Sequence, residues 1–373
     1  MDFNNFLAEL QQVLASQVIT DQLKEPIPKV TFDPTRKQAG EPNQIFIGVG
    51  YWMLDDTPVK HQGVCLNING TVQRFGPAHQ YSSVTDLVLD PPQELSQFWQ
   101  AATVGAQSPM ALLSRFELVV EDVGPDSCFA LLCWLALCCG VPAAELRQGR
   151  GKAWVEAVRR WKSTGMAENH FAAWPALLSA LGHSYISPAS ENAKRSPDTL
   201  SRAWNETLAF TVALLRRDID PDDVPSLPDL DTYVRAKAFM NIEYQDYRDS
   251  LPNALKLQLL IPLRGTGDAR QLLVDAYFAV ETWPSGTKKL FIRTDKKHTH
   301  LGQGFALMGL YRPNERGSGN DITVTVNPQI GIYLKALWEE LERLEIERWQ
   351  GERPQEHPRP IASYGGTAGY SEP

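Results

Sequence analysis

The stretch FELVVEDVGPDSCFALLCWLALCCG, residues 116–140, restricts the fold more than any other part of the chain. From Cys128 to Cys139 it carries almost no polarity. A helix that is apolar on every side has to be buried on every side. The run is well short of the ~20 residues that cross a bilayer, so its cover must come from protein. FELVV, just before it, has the β-branched and apolar texture of a strand. Gly140, Val141 and Pro142 close the helix, Gly at the end and Pro just beyond. A continuous apolar strand followed by a buried helix predicts an α/β fold with a mainly parallel sheet.

A buried helix needs a large core around it, and the composition supplies one. The chain has 373 residues, 43% of them hydrophobic and 21% charged, enough for two domains or one large domain with an attachment. The net charge of −8 argues against wholesale binding of a nucleic-acid backbone, which needs a concentrated positive face. The start, MDFNNFLAELQQVL, is acidic and amphipathic and lacks the basic region of a secretory signal. A soluble, cytoplasmic chain with no membrane segment is expected. Of the five cysteines, four lie in or beside the apolar helix: Cys128, Cys133, Cys138 and Cys139. Their spacing fits neither CxxC metal binding nor a disulfide framework, so they read as reduced packing residues.

The remaining pattern divides the chain into four parts. Residues 1–150 read as an α/β region with an amphipathic helix over 4–18 and a hairpin turning at Asn69-Gly70. Residues 151–250 read as helical, with one helix ending at Gly182, His183 just beyond it, and another starting at Ser196-Pro197-Asp198. Residues 253–349 read as a smaller α+β domain: LKLQLLIPL, LLVDAYFAVE, KKLFIR, FALMGLY and DITVTV as strands, then a helix from Ile330. Residues 350–373 have the composition of a disordered tail.

Four constellations could carry chemistry. In EDVGPDS, Glu121, Asp122 and Asp126 supply three carboxylates within six residues at a strand end, where α/β folds place their sites. Such a set suits a hard divalent cation, Mn²⁺ or Mg²⁺. Alternatively Asp126 or Ser127 caps the following helix and the other acids are solvated. In RTDKKHTHLGQG, Lys296, Lys297, His298 and His300 cluster, either as an anion contact or as a solvated turn; on a strand the two imidazoles would share a face. In YRPNERGSGND, Arg312 and Arg316 flank a Gly-Ser-Gly turn that suits a phosphate. In HQYSSVTDLVLDPP, His79, Asp86 and Asp90 would approach the 121–126 acids if VTDLVLD were the neighbouring strand. No G-x-S-x-G elbow, P-loop or dinucleotide fingerprint occurs. The ten tryptophans are scattered singly, mostly at helical positions such as Trp134, Trp154, Trp161, Trp174 and Trp204, as core residues are.

Two families share features with these residues. LVVEDV resembles the strand and acid pair of the phosphoribosyltransferases, but GPDSC lacks their Thr-Thr-Gly phosphate loop. VVEDVGPDSCFALLCWLA resembles the strand, acidic loop and apolar helix of the DHH-type phosphoesterases, with Asp126 at the aspartate four residues after the motif histidine. The block from Phe305 to Glu345 is similar to their small substrate-clamping domain. The sequence departs from that pattern in holding Asp122 where the histidine stands and Cys128 where the second aspartate stands. The resemblance implies a metal-dependent phosphoesterase acting on a phosphorylated small molecule or short nucleic acid. Asp122 and Asp126 would then be metal ligands, Glu121 a ligand or base, and Lys297, Arg312 and Arg316 phosphate contacts. The departures imply the alternative, a catalytically degenerate binding or adaptor protein on the same two-domain frame.

Overall fold

The computed structural model describes residues 1–18, 29–32, 44–54, 57–68, 71–75, 83–103, 108–120, 123–165, 167, 169–186, 197–262, 271–280, 286–312, 321–327, 330, 340, 343–344 and 347. It is a mixed α/β structure. The chain opens with α1 (Phe3–Val18), which buries Phe6, Leu7, Leu10 and Leu14 along one face. Four strands follow: β1 (Lys29–Phe32), β2 (Gln44–Leu54), β3 (Thr57–Ile68) and β4 (Thr71–Phe75). Helices α2 (Val84–Leu89), α3 (Gln93–Thr103) and α4 (Pro109–Arg115) lead to β5 (Glu117–Val120) and α5 (Pro125–Cys138). A short α6 (Ala143–Arg147) precedes four long helices: α7 (Arg150–Thr164), α8 (Trp174–Ile186), α9 (Pro197–Arg216) and α10 (Asp231–Ser250). The last described elements are β6 (Leu255–Pro262), β7 (Gln271–Val280), α11 (Gly286–Thr294), β8 (Leu307–Arg312) and β9 (Asp321–Val326).

The first sheet has the order β1-β5-β2-β3-β4. β5 runs parallel to both β1 and β2, whereas β3 pairs antiparallel with β2 and with β4. The sheet is therefore mixed, where a mainly parallel one was expected. The difference comes from the hairpins: the β2–β3 ladder runs from Gln44↔Asn67 to Leu54↔Thr57, longer than any parallel ladder here. Ile68 pairs with Thr71, the register a two-residue turn requires. Asn69 and Gly70 themselves lie outside the described residues.

α5 is the hub. Pro125 to Ala136 are all buried, as an apolar-all-round helix demands. It packs against α2, α7, α9 and β2. Its ring Phe129 stacks on Trp154 of α7 at 5.9 Å and meets Trp174 of α8 edge-on at 6.1 Å, and the two tryptophans are 4.8 Å apart. Trp174 donates its indole N–H to Thr211 Oγ1 of α9 at 3.1 Å, so the polar edge of the ring is satisfied inside the core. The Cys128 sulfur lies 3.6 Å from the same hydroxyl. Burial pushes the Cys128 thiol up to about 12 and Cys139 up to about 11, and raises Cys133 and Cys138 as well. These four are free thiols held as packing groups.

Three local readings change. The helix α5 starts two residues before Ser127, with Gly124 as its N-cap and Pro125 in the first position, because proline's fixed φ is already helical. Helix α8 does not stop at Gly182; it continues to Ile186 and carries His183 in its last turn. Gly182 is there for space: a Cβ would lie 2.9 Å from the Val123 carbonyl oxygen. KKLFIR is helical, in α11, not a strand. β7 and β8 are parallel neighbours, and parallel strands need a crossover, commonly a helix.

The second sheet has the order β6-β7-β8-β9, with antiparallel pairs on both sides of the parallel β7–β8 pair. One face sends Tyr277, Met308 and Leu310 into the same apolar cluster as α1 and α5. The helical segment 151–250 thus shares one core with both flanking regions. The other face builds a small separate cluster of Ile261, Val274, Ala276, Ala306 and Leu307. Among the described residues no helix is long and apolar enough to cross a membrane.

Candidate functional site

Asp126 sits in the first turn of α5, but its carboxylate serves a different helix. Oδ2 accepts the Val84 N–H at 2.9 Å. Oδ1 accepts both the Thr85 N–H and the Thr85 hydroxyl, each at 2.9 Å. Val84 and Thr85 are the first two residues of α2, and the first N–H groups of a helix have no partner within it. Asp126 supplies that partner from forty residues away in sequence. The residue is 7% exposed. The N-terminal ends of α2 and α5 both carry partial positive charge, so the carboxylate occupies the place an anion would otherwise take.

The rest of the α2 terminus is closed locally. Ser83 Oγ, the N-cap, accepts the Asp86 N–H at 3.0 Å and its hydroxyl donates to Asp86 Oδ2 at 2.9 Å. The Asp86 carboxylate also takes Arg159 of α7 through Nε at 2.9 Å and Nη2 at 2.6 Å. VTDLVL does reach Asp126, then, but as a helix presenting backbone amides and not as a strand presenting acids. Asp86 points to Arg159, and Asp90 pairs with Arg147 at 3.2 Å. Glu121, Asp122 and His79 lie outside the described residues.

The basic loop after α11 is organised by acids. Asp295 Oδ1 accepts the backbone N–H groups of Lys297 and His298 at 3.0 and 3.1 Å. Oδ2 accepts the Tyr247 hydroxyl at 2.5 Å and lies 2.7 Å from His298 Nδ1. An ionised carboxylate only accepts, so His298 Nδ1 is the donor in this contact. Burial alone would raise the Asp295 carboxyl, but the hydrogen bonds from Tyr247 and His298 outweigh it and hold it below the ordinary range. The Tyr247 hydroxyl is pushed up by burial and by the same acid. Buried Asp275 accepts the N–H groups of His300 at 3.1 Å and Leu301 at 2.7 Å. His298 and His300 therefore stand in a loop tied down at two points, not on one face of a strand.

Of the phosphate-contact candidates, Lys297 is exposed, and its backbone N–H is held by Asp295 Oδ1. Arg312 ends β8, opposite Asp321 of β9, and Arg316 lies outside the described residues. Asp126 and Lys297 share no hydrogen bond or ion pair. Among the described residues no three His, Cys, Asp or Glu side chains are grouped to hold a metal ion. His183 Nε2 approaches Glu243 Oε1 at 3.8 Å. The Tyr247–Asp295–His298 network has only a faint signal in the sequence, an aspartate two and three residues ahead of amides it can cap.

Comparison of the chain with protein families, with curated proteins and with solved structures finds no match in any of the three.

Proposed function

We propose that this chain is a non-catalytic binding or adaptor protein built on an α/β frame. The observation that supports this is the commitment of Asp126: a carboxylate has about four acceptor positions, and three of them hold donors from α2. Turning Asp126 toward a cation would leave buried N–H groups of Val84 and Thr85 unpaired, at ~1–3 kcal/mol for each. Asp126 as it stands does not fit the ligand role that a metal-dependent phosphoesterase would give it.

The phosphoesterase reading draws its remaining support from Glu121 and Asp122, the acids that precede Asp126 in sequence. The two readings part in an assay of phosphodiester hydrolysis with Mn²⁺ or Mg²⁺ present, using a chromogenic diester and short oligonucleotides. The adaptor reading expects no turnover above the Asp122→Asn variant. Hydrolysis that is metal-dependent and abolished in Asp122→Asn would establish the enzyme instead.

A further inference from the structure

β6 stands at one end of the second sheet, and among the described residues no strand pairs with its outer side. It exposes leucines on both faces. Leu255 and Leu257, on one face, are 57% and 37% exposed, and Leu260, on the other, is 59% exposed beside its cross-strand neighbour Leu273. A helix or loop laid on the sheet would cover one face only. A strand added at the edge reaches both.

Edges of this kind are usually guarded by a charge, often lysine. The only charged residue in β6 is Lys256. Its ammonium turns back to the Leu251 carbonyl at 3.0 Å, at the end of α10, and so does not guard the edge. The strand is also complementary to itself. In an antiparallel pair of two copies with the two-fold axis at Gln258, Leu257 faces Leu259, Leu255 faces Ile261, and Lys256 faces Leu260. No like charges oppose each other, and one apolar face continues across both sheets.

We propose that two copies of this chain associate through antiparallel pairing of their β6 strands, joining their second sheets into one continuous sheet. The pairing stands independently of the role of Asp126. It is tested by light scattering on the eluting full chain across a range of concentrations. The wild type is expected at about twice the 41.7 kDa chain mass, falling on dilution. A Leu257→Lys, Leu260→Lys variant is expected at the single-chain mass with an unchanged circular-dichroism spectrum; both side chains are exposed, so folding survives the change. A wild type that stays at one chain mass at every concentration overturns the proposal. So does a dimer that the double variant leaves intact, or a monomer whose β6 amides gain protection from exchange only when an unrelated extended peptide is added.

Discussion

Asp126→Ala isolates the contact on which the functional reading depends. It removes one charge-bearing acceptor and three hydrogen bonds, two of them from backbone N–H groups that have no other partner in α2. Val84 and Thr85 are fully buried, so the freed donors meet at most a water entering the vacated space. An unsatisfied buried donor costs ~1–3 kcal/mol, and loss of a helix N-cap by itself costs about 1 kcal/mol. With two such donors the total expected is about 2–6 kcal/mol, or roughly 3–8 °C in melting midpoint, since an unfolding entropy of ~2.1 cal/mol/K per residue makes each kcal/mol worth about 1.3 °C in a chain of 373 residues. Asp126→Asn keeps one acceptor and turns an NH₂ toward the other donor, so its loss should fall between wild type and Ala. Thr85→Val should cost stability in the wild type and much less in the Asp126→Ala background, because the two changes remove the same hydroxyl bond. Thermal denaturation of the five proteins, the double variant included, measures this directly. An Asp126→Ala midpoint equal to the wild type's, or additive effects with Thr85→Val, would refute the reasoning.

Two further outcomes follow from the packing. Gly182→Ala gains about 1 kcal/mol of helix propensity, but places a Cβ 2.9 Å from the Val123 carbonyl; overpacking against backbone costs ~1–3 kcal/mol, so a net lower melting midpoint is expected, and a higher one would mean that the 123–124 segment yields. The Asp295 carboxyl is held below its ordinary value, so its contribution to stability is complete above about pH 4 and is lost as pH falls through the depressed folded value. Acid titration of the melting midpoint should therefore drop less steeply in Tyr247→Phe than in the wild type.

How far the sequence could be read depended on the range of the interaction. α5 was legible because its burial is written in twelve consecutive positions, and α9 because Pro197 sets its start. In the first sheet β5 and β2 were legible in FELVV and NQIFIGVGYWML and the β3–β4 hairpin in its Asn69-Gly70 turn, but not β1, which lies in a stretch with the proline and charge of a connector, nor the mixture of directions, which depends on which strand lies beside which. KKLFIR was misread because three apolar residues in a row suit a short strand and a short helix equally; only the parallel pairing of β7 and β8 decides between them. Gly182 looked like a helix end, since the carbonyl that requires a glycine there belongs to a loop sixty residues away. The acid cluster was legible as residue types and not as partners. Asp126 was read against its neighbours Glu121 and Asp122, whereas its donors come from Val84 and Thr85.

Calorimetric titration of Mn²⁺ into the wild-type chain and into Asp126→Asn tests most directly whether Asp126 is a structural acceptor or a ligand. With Asp126 as a structural acceptor, no site has a heat that depends on residue 126, and both proteins give the same trace. A stoichiometric site present in the wild type and absent from a folded Asp126→Asn would contradict it.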